Sequence, residues 1–117
     1  MKTDINNYIV RKNQKEWQPL VEKGVHYVGI WVKSLLFNET QERSTTILLK
    51  FEPGASYPYH NHPAGEEIFV LRGEAIIETQ TLCEGDYLYT PPGFKHSVHS
   101  KTGCTLFFVI PEEVEIV

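Results

Sequence analysis

The chain is short of most features that mark specialised proteins. It has two cysteines, Cys83 and Cys104, and neither belongs to a CxxC pair. A zinc knuckle is therefore excluded, and two isolated cysteines in a chain of this kind are expected as reduced residues packed in the core. No apolar run approaches the roughly 18 residues that a membrane span needs. The first residues, MKTDINNYIVRKN, lack the apolar stretch of a signal peptide, so a cytoplasmic location is the default expectation. Basic residues are not in excess: the formal charge is -4, which leaves no global attraction for nucleic acid or an anionic membrane. Internal repeats, low-complexity tracts and linkers are absent too. At 117 residues, with 41% hydrophobic and 22% charged side chains, the chain suits one soluble domain spanning 1–117.

What is present is a regular alternation of turns and β-formers. After position 50, Gly and Pro recur about every ten residues, from Pro53-Gly54 through Pro91-Pro92-Gly93 to Pro111. Between them lie "TTILLKF", "EEIFVLRG", "EAIIETQ", "DYLYT", "HSVHS" and "CTLFFVI". Short strands with even punctuation predict an all-β sandwich or barrel. Residues 1–45 form an N-terminal arm with weaker patterning: a short strand or turn near Trp17, then a strand from about Val25 to Leu36. The latter is expected to be buried largely on both faces. "CTLFFVI" also lacks a polar face, so its outer side needs cover from the N-terminal segment or a second subunit.

The chemistry concentrates in "YHNHPAGEEIFVLRG". On a strand, residues i and i+2 share a face, so His60 and His62 project together. Pro63-Ala64-Gly65 forms a turn that starts a new strand at Glu66. By parity Glu66 shares a face with Ile68 and Val70, which makes it a better ligand than Glu67 unless a bulge reverses the choice. Pro91-Pro92-Gly93 forms a second tight turn directly before His96. His99 falls on the opposite face, so His96 is the third imidazole. Three neutral imidazoles and a carboxylate suit one divalent transition ion (Zn, Fe(II), Mn, Ni or Cu) rather than Mg or Ca. Glu67 could orient a histidine from behind, although a solvated strand carboxylate is the simpler role. Tyr57, Tyr59, Tyr89 and Phe94 are expected to pack or to line the barrel mouth.

These residues resemble the two motifs of the cupin superfamily. The first is Gly54, ASYPY, His60-Asn61-His62, PAG, Glu66, EIFVLR, Gly73; the second is Gly85, DYLYT, Pro91-Pro92-Gly93, FK, His96, SVH and then Ser100, where the family carries Asn. The motifs span residues 54–73 and 85–100. The resemblance implies a cupin-type antiparallel jelly-roll β-barrel, with a metal held by His60, His62, Glu66 and His96 inside its mouth. "FEPGASYPYHNHPAGEEIFVLRGE" and "GDYLYTPPGFKHSVHSKTGCTLFFVI" look like the cupin half of ChrR-type anti-sigma factors and their stand-alone relatives. That likeness implies zinc as the metal on isolation, with Fe, Mn or Ni as alternatives. Such anti-sigma factors also carry an N-terminal helical zinc domain with paired Cys. The segment before His60 holds no cysteine and no such helix pattern, so a sigma factor is not an expected partner. Two functions follow from the resemblance: binding or sensing of a small molecule, or an Fe(II) dioxygenase acting on a small chelating substrate such as a diketone. Both use the same ligands, and fold alone does not separate them. A homodimer is expected because the two-sided apolar C-terminal strand needs cover.

Overall fold

The computed structural model describes residues 3–117. A 3₁₀ turn, Ile5–Tyr8, is capped by Asp4, whose carboxylate accepts the Asn6 amide. Ten strands follow: β1 (Gln18–Glu22), β2 (Val25–Asn38), β3 (Arg43–Phe51), β4 (Ser56–Asn61), β5 (Glu66–Ile77), β6 (Gln80–Cys83), β7 (Tyr87–Thr90), β8 (Lys95–His99), β9 (Cys104–Val109) and β10 (Glu115–Ile116). Among the described residues no helix is long and apolar enough to cross a membrane.

All pairings are antiparallel, and they curl into the expected jelly roll. One face runs β1-β2-β3-β9-β5-β7, and the other runs β6-β5-β8-β4-β10. The strand common to both is β5. Its first half, Glu66 to Phe69, pairs with β7, and its second half, Glu74 to Ile77, pairs with β6. The change of partner falls at a bulge between Val70 and Arg72 and at Gly73, which has φ +74°. Gly73 has no room for a side chain: a Cβ there would stand 2.2 Å from the Gly103 carbonyl oxygen.

The core lies between the faces. It is built from Leu20, Ile30, Leu49, Phe51, Ile68, Val70, Ala75, Ile77, Val98, Leu106 and Phe108. Burial alternates along β5 and β9 with a period of two. Thus "CTLFFVI" does have two unequal faces, with Leu106 and Phe108 inside and Thr105, Phe107 and Val109 half-covered.

The N-terminal arm departs from expectation. β2 is longer than the pattern implied, and it is not buried on both faces: Ile30 is its one buried residue, while Val28 is 77% exposed. β-branched and aromatic side chains favour strand whether or not they are covered, so composition alone overstated the burial. Trp17 is covered by two lysines, with Lys33 and Lys50 Nζ at 5.0 and 4.7 Å from its ring centre. Both cysteines are free, and Cys104 is buried as expected, whereas Cys83 is exposed at the end of β6.

Two glycine substitutions should separate backbone strain from collision. Gly85 has φ +90° but open space around it, so Gly85→Ala should lose about 1–2 kcal/mol, the ordinary cost of a side chain in left-handed backbone. Gly73→Ala should lose distinctly more, because the strand corner must also move. Urea denaturation measures both; equal losses would refute a steric role for Gly73.

Candidate metal centre

Three elements deliver the cluster. His60 lies near the end of β4, past a shift in register, and stands directly across from His96 on β8. His62 lies just past β4. Its carbonyl accepts from the Gly65 amide at 3.2 Å and from the Gly93 amide at 2.9 Å, so both glycine-proline turns are pinned at one atom. Gly65 must be glycine for this: a Cβ would lie 2.8 Å from the Thr90 carbonyl oxygen. The chain leaves that turn into β5 with Glu66 pointing inward beside Ile68 and Val70.

The four side chains are buried, and one ligand atom from each lies within 4.8 Å of all the others. His62 Nε2 and His96 Nε2 are 3.0 Å apart, and Glu66 Oε1 lies 3.3 and 3.6 Å from them. Ligand atoms around a tetrahedral ion with bonds of about 2.1 Å stand roughly 3.4 Å apart. The separations among His62, Glu66 and His96 therefore suit one divalent transition ion.

Hydrogen bonding supports the same fit. His60 Nδ1–H donates to the Pro58 carbonyl, and His62 Nδ1–H donates to the Phe94 carbonyl, each at 2.7 Å. A carbonyl only accepts, so both Nδ1 atoms carry the proton and each Nε2 turns its lone pair inward. Buried Glu66 Oε1 finds no hydrogen bond of good geometry among the described residues, an orphan that a cation would satisfy. His96 Nδ1 is likewise buried without a partner, so its tautomer is not fixed by a carbonyl as the other two are.

The electrostatics differ from ring to ring. Burial pushes His60 down to about 4, only partly offset by the Pro58 carbonyl. Burial also acts against charge on His62 and Glu66, but their mutual contact outweighs it. The His62 pKa is raised and the Glu66 pKa is lowered, with His96 adding to the effect on Glu66.

The other expected site residues are placed as follows. Tyr57 is buried, and its ring meets His60 edge-on at 4.9 Å. Phe94 contributes mainly through its backbone carbonyl; its ring is 6.3 Å from His96 and 48% exposed. Glu67 is exposed on the outer face, where the Tyr87 hydroxyl donates to it at 2.7 Å. His99 stands outside the cluster, paired with the Ser56 hydroxyl. Ser100, in the place of the motif's Asn, is fully buried and donates to the Glu74 carbonyl at 2.7 Å, tying β8 to β5.

One site residue escaped the sequence reading. Glu22 ends β1 and accepts a short hydrogen bond from the Tyr57 hydroxyl. Burial raises its pKa, and the Tyr57 hydrogen bond offsets only part of that. Parity from buried Leu20 would have found it, had the limits of β1 been readable.

With fold and site described, the chain can be placed among known proteins. It belongs to the family of the ChrR cupin-like domain, which it matches over residues 6–112. A curated relative, the DNA damage-repair/toleration protein DRT102 of Arabidopsis thaliana, is 33% identical over 64 residues. That match covers 50% of this chain and 21% of the relative, so the chain spans about a fifth of the relative's length. Among solved structures, an acetylacetone dioxygenase from Acinetobacter johnsonii superposes with a TM-score of 0.79 at 15% identity, covering 93% of this chain and 76% of that one. The polyketide cyclase RemF from Streptomyces resistomycificus gives 0.72 at 20% identity, covering 93% and 84%. A dioxygenase and a cyclase share this fold, so these likenesses establish the fold and leave the chemistry to the site.

The protonation of His60 can be measured. Unfolded, it takes a proton near its ordinary pKa; folded and metal-free, it resists until about pH 4. Its contribution to stability is therefore complete above about pH 6.5 and is lost as pH falls between the two values. NMR of the metal-free protein should show the His60 ring signals unchanged from neutral pH until well below the ordinary histidine range. A midpoint near the ordinary value would refute its desolvation.

Proposed function

We propose that His60, His62, Glu66 and His96 hold one divalent transition ion, and that this ion takes a small ligand from a cavity inside the barrel. The observation that carries this reading is the continuity of site and cavity: His60 and Glu66 line a cavity of about 40 Å³ whose other walls include Leu49, Phe51, Val98 and Phe108. A metal there would act as a Lewis acid on a ligand oxygen, and as Fe(II) it could activate O₂. The residues do the rest. The two carbonyl-anchored imidazoles keep their lone pairs aimed inward, Glu66 balances charge, and the apolar walls exclude bulk water. Binding or sensing needs only this much.

A dioxygenase is the second reading. It is favoured by the same cavity, whose few water-sized positions beside the ligands would take the chelating end of a small molecule. The acetylacetone dioxygenase of similar fold supplies the substrate class to try first, β-diketones. Anaerobic purification with elemental analysis, then O₂ uptake by the Fe(II)-loaded protein, separates the two. Native iron with diketone-dependent uptake establishes the enzyme. Tightly held zinc without uptake establishes the binding or sensing protein.

The ligand assignment has its own test. His60→Ala and His96→Ala should each lose most of the metal, while His99→Ala should keep it. Equal loss in His99→Ala would sink the assignment.

The protein is also proposed to pair. Tyr87, Phe69, Phe107 and Leu48 lie in register across the outer face of four neighbouring strands. Phe69 is 39% and Tyr87 55% exposed, a contiguous apolar row of the kind that marks an interface. Light scattering should give twice the 13.5 kDa of one chain, and Phe69→Glu should restore the single mass. A monomeric wild type would contradict it.

A further inference from the structure

Two cavities share one wall. The inner one, about 40 Å³, reaches the cluster. The outer one, about 410 Å³, lies among Lys23, Tyr27, Glu113 and Glu115. Glu22, Tyr57 and Val114 line both. Across that wall the Tyr57 hydroxyl donates to Glu22 Oε1. The inner space offers about three water-sized positions, at roughly 10–15 Å³ each. A third cavity, about 330 Å³ and lined by Arg43, also adjoins the inner one at Glu22, so a ligand of more than a few heavy atoms that extends into either larger space lies against Glu22, and against Tyr57 on one of the two sides.

Charge then limits what can settle there. Among the described residues no lysine or arginine lines the inner cavity, and its carboxylates are Glu22 and Glu66. In the outer cavity Glu113 and Glu115 join Glu22, against one lysine, Lys23, whose Nζ is already 3.7 Å from Glu113. A divalent ion held by neutral imidazoles and one carboxylate keeps a single positive charge. A monoanion cancels it. A dianion leaves negative charge in an apolar space; the cations of the adjoining cavities, Lys23 and Arg43, lie outside it and are already engaged, Lys23 with Glu113 and Arg43 with Gln41 and the Ile110 carbonyl, and an unpaired buried charge is strongly disfavoured.

We propose that Glu22 and Tyr57 are the specificity-determining pair of this site, admitting small ligands that arrive neutral and bind as neutral molecules or monoanions, and turning away dianions. The proposal rests on the reading that the cluster holds a metal whose ligand occupies the inner cavity. It places the ligand class among neutral oxygen chelators, such as hydroxy-ketones, diketones and hydroxamic acids, and outside the dicarboxylates.

Calorimetric titration of the metal-loaded protein near neutral pH tests this with two chelators of similar size, acetohydroxamic acid and oxalate. The wild type should bind acetohydroxamic acid at least about tenfold more tightly. Glu22→Gln keeps the shape and removes the negative charge; it should improve oxalate binding several-fold and leave acetohydroxamic acid within about twofold. Equal affinities in a metal-replete wild type would overturn the proposal alone, and that comparison needs no variant. An unchanged ratio in folded Glu22→Gln would overturn the role of Glu22. Elemental analysis of the same samples distinguishes the remaining case: a protein that retains no metal overturns this proposal together with the reading beneath it.

Discussion

The carbonyl of His62 is the atom on which the site depends. It receives the Gly65 and Gly93 amides, and so it ties the turn leading into β5 to the turn leading into β8. Glu66 leaves the first turn and His96 follows the second. The ring of His62 is held in turn by the Phe94 carbonyl, from the second turn itself. Backbone hydrogen bonds thus set the relative positions of three of the four polar side chains before any ion is considered. The fourth, His60, is set by its ladder position opposite His96. A site with this much support inside the backbone is well organised for binding, because little side-chain freedom is left to lose.

The interior around the cluster would otherwise be a poor place for four polar groups. Their neighbours are Tyr57, Val98 and Phe108, and polar groups in such surroundings are costly unless paired. His60 and His62 meet that cost in different ways. His60 is driven toward neutrality by burial, while His62 and Glu66 stabilise one another's charge. Glu22 and Tyr57 repeat the pattern at the mouth, where a half-buried carboxyl and a phenol satisfy each other.

Legibility in the sequence followed the strength of local constraint. Glycine and proline mark places where backbone must turn, and β4, β7, β8 and β9 each lay between such marks, whereas the β2–β3 and β5–β6 turns carry neither and Gly73, which reads as a break, lies within β5. Period-two parity then separated Glu66 from Glu67 and His96 from His99, since the residues flanking them on β5 and β8 alternate cleanly between core and solvent. β1 and β2 gave no comparable signal. Their burial is shallow, Val21, Val25 and Val28 face solvent, and Lys23 and Gly24 both take left-handed backbone in the turn between them. Without the limits of β1, the inward direction of Glu22 was not readable, because it depends on a partner, Tyr57, that is distant in sequence. The contribution of Phe94 was hidden for another reason: it acts through a carbonyl, which every residue possesses.

β5 has a wider consequence through its membership of both faces. Its first half carries Glu66 and its second half is bridged to β8 by Ser100 and by ladder pairing to His99 and Val98. Neither face can peel away without breaking a strand that belongs to the other. Amides of both faces are therefore expected to exchange as one cooperative unit, so that filling the site would protect amides far from it on the opposite side of the barrel.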